Sequence, residues 1–151
     1  MTDAAPAGAA TAPSLRIERT FAASPEDVFD AWTKPDIMRS WWGPEAMTPV
    51  SCEADLREGG RWRVEMRGSE TSYAVGGQYV RIDRPRELVF TWSWEGGVQG
   101  ADETLVTVTM ATDGDNTVLV LLHERFATAV SRDNHHRGWT STLNSLEKHF
   151  S

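Results

Sequence analysis

The chain holds one cysteine, Cys52, in 151 residues. No internal disulfide can form, so the fold must stand on packing alone. No apolar run reaches about eighteen residues, which argues against a membrane-spanning helix. The opening residues, MTDAAPAGAATAP, lack both the basic start and the apolar stretch of a secretory signal. A reducing cytoplasm is the expected compartment. Positive charge is scarce: 15 Lys and Arg stand against 22 Asp and Glu, a net charge of −7. That balance repels phosphate backbones and anionic bilayers, so neither nucleic acid nor membrane is an expected partner.

The short motifs of chemistry are missing too. There is no G-x-S-x-G elbow, no Cys–His motif and no phosphate-cradling glycine loop. The histidines have no metal-ligand spacing, and the adjacent His135 and His136 leave a helix about 100° apart. No metal or other cofactor is expected. Residues 1–13 are small and rich in Ala and Pro, and read as a disordered tail. Residues 14–151 read as one domain.

What is present in quantity is tryptophan: 7 of them, beside 5 Phe and 2 Tyr. Indoles fill cores, and they also make rigid apolar walls with one donor each. The segment from Ser14 to Phe21 alternates as a strand, with Leu15, Ile17, Arg19 and Phe21 on one face. Ser24-Pro25-Glu26-Asp27 signals a helix start, and Pro35 breaks that helix. A second short helix is expected over Asp36 to Trp42. Strands follow at Val50 to Leu56, Arg61 to Arg67, Tyr73 to Ile82, Glu87 to Trp94, Thr104 to Ala111 and Thr117 to Phe126. Gly76-Gly77 suggests a bulge or bend. The glycines of Glu95 to Ala101 suggest a loose loop, placed to cover a cavity entrance. From Ala129 on, Trp139, Leu143, Leu146 and Phe150 fall at helical spacing.

This order predicts an α+β fold: a curved antiparallel sheet of about seven strands around a long C-terminal helix, with two short helices after the first strand. A meander must bury its apolar face against a helix or a second sheet, and only one long helix is available. Internal space between the two is expected.

The stretches SPEDVFDAWTKPDIMRSWWGP (Ser24 to Pro44), GGQYVRIDRPRELVFTWSW (Gly76 to Trp94), TLVTVTM (Thr104 to Met110), LLHERF (Leu121 to Phe126) and HHRGWTSTLNSL (His135 to Leu146) resemble a bacterial family. It is the one related to the activator of the heat-shock-protein-90 ATPase, within the START-like (SRPBCC) superfamily. The resemblance implies the helix-grip fold for nearly everything after the tail. It also implies that Val118, Val120 and Leu122 face outward, where relatives carry threonines, and that Leu119, Leu121 and His123 face inward. An outer face this apolar would be covered by a second copy of the chain.

Trp41, Trp62, Phe90, Trp92, His123, Trp139 and Leu143 are the expected lining of a ligand cavity. His123 and Arg19 are the candidate polar anchors, each with a structural alternative: a core hydrogen bond for His123, an ion pair near the first helix for Arg19. His135, one turn before Trp139, stands at a cavity mouth or in solvent. The leading expectation is the binding of a hydrophobic or aromatic small molecule. Two alternatives stay open: a cyclase- or hydrolase-like enzyme using His123 or Glu124, and a co-chaperone-like interaction module.

Overall fold

The computed structural model describes residues 12–96 and 103–151. Strand β1 (Leu15–Phe21) leads into helices α1 (Pro25–Thr33) and α2 (Pro35–Trp41). Six strands follow: β2 (Thr48–Ala54), β3 (Arg61–Arg67), β4 (Ser72–Asp83), β5 (Glu87–Trp94), β6 (Thr104–Asp113) and β7 (Asn116–Glu124). Helix α3 (Ala129–His149) closes the chain. The sheet order is β1-β7-β6-β5-β4-β3-β2, with every neighbouring pair antiparallel. It curls as a half-barrel around α3, which is the helix-grip architecture.

Local chemistry explains the elements. The Ser24 hydroxyl accepts the Asp27 amide at 3.2 Å and caps α1, while Glu26 and Asp27 favour the positive end of its dipole. Pro35 cannot continue α1, so it opens α2 instead, one residue earlier than the spacing suggested. Thr128 caps α3 by accepting the Ser131 amide. Along α3, His135, Trp139, Thr142, Leu143 and Leu146 are buried, a single stripe of helical period. At its far end Phe150 meets Phe21 of β1 edge-on at 6.0 Å.

The strand faces follow the alternation. Trp62, Val64 and Met66 of β3, Leu88, Phe90 and Trp92 of β5, and Leu119, Leu121 and His123 of β7 are all buried on the concave side. Val118, Val120 and Leu122 lie on the convex side and are half-buried within the single chain. Strand β2 begins and ends two residues before its expected bounds, and β7 stops at Glu124, where Arg125 takes a left-handed φ of 75°.

The Gly76-Gly77 pair carries no register shift. The shift between β4 and β5 comes later, between Tyr79 and Arg81. The glycines answer a close approach instead: a Cβ on Gly77 would stand 2.0 Å from the carbonyl oxygen of Thr91. Gly77 pairs with Trp62, whose indole N–H reaches across to that same oxygen at 3.1 Å. An aromatic ring thus covers the bare backbone.

Arg19 faces inward, as the alternation of β1 predicts, but its partner is not near α1. The guanidinium reaches the Glu147 carboxylate and the Thr140 carbonyl of α3, both at 3.5 Å. The expected tail falls on residues outside the described ones, except for 12 and 13. The glycine loop after Trp94 lies outside them from residue 97 on.

Candidate functional site

All seven tryptophans belong to one aromatic cluster on the concave side, with neighbouring indole centroids 4.9–6.3 Å apart. Trp32, Trp41 and Trp42 come from the two short helices and the residue after them. Trp62, Trp92 and Trp94 come from β3 and β5, and Trp139 from α3. Tilted and edge-to-face contacts prevail, the geometries indole quadrupoles favour. The cluster fills the middle of the grip. The internal space expected there is displaced to one end of it.

That space is a cavity of about 160 Å³ between the first half of α3, the loop after α2, and the ends of β3, β4 and β5. Its floor is made by the buried Trp42, Met66, Trp92, His135, Trp139 and Thr142. Its rim is made by Pro44, Met47, Tyr73, Trp94, Asn134 and Gly138, all half-buried or exposed. The walls are mainly aromatic and thioether, and among the described residues no carboxylate, ammonium or guanidinium lines them. At Gly138 the packing leaves room for a methyl, since a Cβ there would only touch Pro44 at 4.0 Å.

Trp92 and Trp139 are therefore in the cavity wall. Trp41, Trp62, Phe90 and Leu143 are not; they pack in the layers behind it, each at most 3% exposed. Trp41 gives its indole N–H to the Ala31 carbonyl at 2.9 Å, which fixes α2 on α1. Arg19 is not in the wall.

His123 lies fully buried next to the cavity floor. The Trp139 indole donates to its Nδ1 at 3.0 Å, so the neutral ring carries its proton on Nε2. Nε2 then donates to the Thr104 hydroxyl at 2.7 Å, which in turn donates to the Trp92 carbonyl at 3.2 Å. Both ring nitrogens are engaged by protein groups. Burial, and secondarily the facing His135, push its pKa down to about 2.

His135 shows the same logic with the opposite tautomer. Its Nε2 accepts the Trp94 indole N–H at 2.9 Å, and its Nδ1 donates to the Ser131 carbonyl at 2.7 Å. Burial lowers its pKa, against the raising effect of the Ser131 carbonyl. Phe126 packs against both histidines, with its centroid 4.3 Å from His123 and 4.9 Å from His135, while the two imidazoles meet edge-to-face at 5.3 Å. Two Trp–His hydrogen bonds thus tie the cavity together: one joins β7 to α3, the other β5 to α3.

Spacing alone missed Trp42, Met47, Met66, Tyr73, Trp94, Gly138 and Thr142 as wall residues, with Pro44 and Asn134 at the rim. Thr142 had a readable signal, lying on the His135–Trp139–Leu146 stripe of α3. Met47 had none, because it enters the wall from an irregular loop. Among the described residues no cluster of three or more His, Cys, Asp or Glu could hold a metal ion. No described helix is long and apolar enough to cross a membrane.

A half-barrel gripping its C-terminal helix, with a small aromatic-walled cavity at one end, defines a START-like domain. The family model described as activator of Hsp90 ATPase homolog 1-like protein matches residues 22–151, and the chain belongs to that family. Among solved structures, the AHSA1 protein of Silicibacter pomeroyi is similar at 29% identity with a TM-score of 0.81, covering 91% of this chain and 96% of its own. A protein of Rhodobacter sphaeroides is similar at 25% identity and TM-score 0.77, with coverages of 93% and 92%. A protein of Chromobacterium violaceum, at 24% identity, shares the fold with a TM-score of 0.83 over 91% and 96%. No curated protein matches the chain.

Proposed function

We propose that this chain binds a small apolar molecule in the cavity bounded by Trp42, Trp92, Trp94 and Trp139. The observation that carries the reading is the cavity itself, about 160 Å³ in volume, walled by indoles and thioethers and open at a half-buried rim. A cavity of roughly 150 Å³ with apolar walls holds benzene, so the ligand is of single-ring size. Larger molecules would require the packed indoles behind the wall to move.

A catalytic use of the same cavity finds no support in the bonding of its histidines, since His123 and His135 are both held neutral with both nitrogens engaged.

The test is titration with ethylbenzene, followed by the melting temperature and the intrinsic fluorescence. Saturable binding raises stability by RT ln(1 + [L]/Kd), about 2.7 kcal/mol at a hundredfold excess over Kd. A melting temperature that does not respond up to the solubility limit of ethylbenzene defeats the proposal.

A further inference from the structure

We infer that the hydrogen bond between Trp94 and His135 is an acid-released latch on the cavity. Protonation of His135 lets go of the Trp94 indole, loosens the wall between β5 and α3, and releases a bound ligand. This rests on the ligand-binding reading above and adds its regulation.

Both partners line the cavity, Trp94 at the end of β5 and His135 near the start of α3. Of the four indoles in the wall, Trp94 alone is not buried, so it is the ring with room to swing. Its contacts with Trp92 at 5.6 Å and Tyr73 at 6.3 Å are edge-on ring packing. The polar tie of its side chain is the 2.9 Å bond to His135, and among the described residues no other hydrogen bond joins β5 to α3.

That bond exists in one protonation state. An indole N–H can only donate, and the Ser131 carbonyl, 2.7 Å from His135 Nδ1, can only accept. The imidazole therefore carries its proton on Nδ1 and offers a bare Nε2. A second proton goes to Nε2, where it meets the indole N–H. The acceptor is gone, and two donors face each other.

Nothing around the ring holds an imidazolium in place. From β7 it is met by His123 at 5.3 Å, itself neutral, and from beyond β7 by Phe126 at 4.9 Å. Trp92 of β5 stands at 6.2 Å. Tyr73 of β4 and Met66 of β3 complete that side of the cavity without a charge. On α3 itself, Arg132 is engaged by Asp133 and the Ser14 carbonyl, and Arg137 by the Asn134 amide. A cation without a counter-ion is costly in an apolar wall, so the charged ring turns toward water and leaves Trp94 behind. Burial already lowers the pKa of His135, which makes the closed form the neutral one. By reciprocity, a ligand that fills the closed cavity holds His135 neutral.

The experiment follows ethylbenzene on the full chain from pH 7.5 to 5, by dissociation constant and dissociation rate. Below the pH at which His135 titrates in the unliganded protein, Kd should rise by up to about tenfold per pH unit. His135→Gln keeps an acceptor near the place of Nε2 and cannot titrate, so it should bind without that pH dependence. Trp94→Phe keeps a ring and loses the donor. It should release ethylbenzene about three- to tenfold faster at pH 7.5, the worth of one neutral hydrogen bond. His123 takes up its proton only near pH 2 and cannot imitate the effect. A Kd that stays constant over the range overturns the inference, and so does a rise equally steep in His135→Gln.

If either variant fails to fold, the ¹⁵N-resolved resonances of the unaltered, unliganded protein decide. The Trp94 indole and the His135 imidazole should shift together, with one midpoint below pH 6.5. A Trp94 signal that ignores the titration of His135 overturns the inference, as does an imidazole that stays neutral until the chain unfolds. This titration needs no ligand. It stands apart from the ligand-binding reading, which fails if ethylbenzene does not bind at pH 7.5.

Discussion

His123 illustrates how a single side chain makes a core sensitive to acid. In the unfolded chain a histidine takes up a proton near pH 6.5, whereas in the folded chain His123 does so only near pH 2. Between those values the unfolded state binds more protons, so stability is fully present above about pH 6.5 and is lost as pH falls. His135 contributes with the same sign. Each proton adds a slope of up to about 1.4 kcal/mol per pH unit. Denaturant unfolding between pH 7.5 and 4.5 should show this decline, and His123→Asn, which cannot titrate, should reduce the slope by up to one proton. An unchanged slope would show that His123 is not a neutral buried group. The bond from Trp139 gives a companion expectation. Trp139→Ala should destabilise by about 3–5 kcal/mol, as the loss of a core aromatic does. Trp139→Phe keeps a ring but orphans His123 Nδ1, and should cost about 1–3 kcal/mol. Thermal unfolding of the two variants separates packing from hydrogen bonding.

At the scale of elements, glycines in strand, turn and helix should respond to alanine in three different ways. In β4, Gly77→Ala drives a methyl into the Thr91 backbone oxygen, which cannot step aside without opening the sheet. A loss on the order of 3 kcal/mol or more is expected, or failure to fold. At Gly59, which has a φ of 85° and nothing within 4 Å, only the left-handed backbone resists, and about 1–2 kcal/mol is expected. Within α3, Gly138→Ala has room and a helical backbone, so it should stabilise by about 0.5–1 kcal/mol. Urea midpoints measured on all three order them, and a reversed order would contradict the geometry. The strands themselves were readable from alternation because a residue's face is a local property of the backbone. Ser24 and Pro35 announced their helix ends for the same reason. The reach of Arg19 was not readable, since its partner Glu147 lies 128 positions away and the chain's curvature brings them together. The cavity was legible only in its chemical character. Trp41, Trp62, Phe90 and Leu143 turn inward as their spacing says, but spacing cannot tell which inward ring touches another ring and which touches empty space.

For the molecule as a whole, tryptophan is both filling and wall, and this has an optical side. Each indole stands within 6.3 Å of another, centroid to centroid, and the set runs unbroken from α1 through the sheet to α3. At such separations an absorbed photon does not stay on the ring that took it up. Excitation migrates through the cluster and leaves from the lowest-energy indole, so emission loses its polarisation even though the rings themselves are held still. A small molecule that quenches excited indole would then darken rings it never touches when it enters beside Trp42 and Trp92. The protein carries its own antenna, and the cavity sits on it.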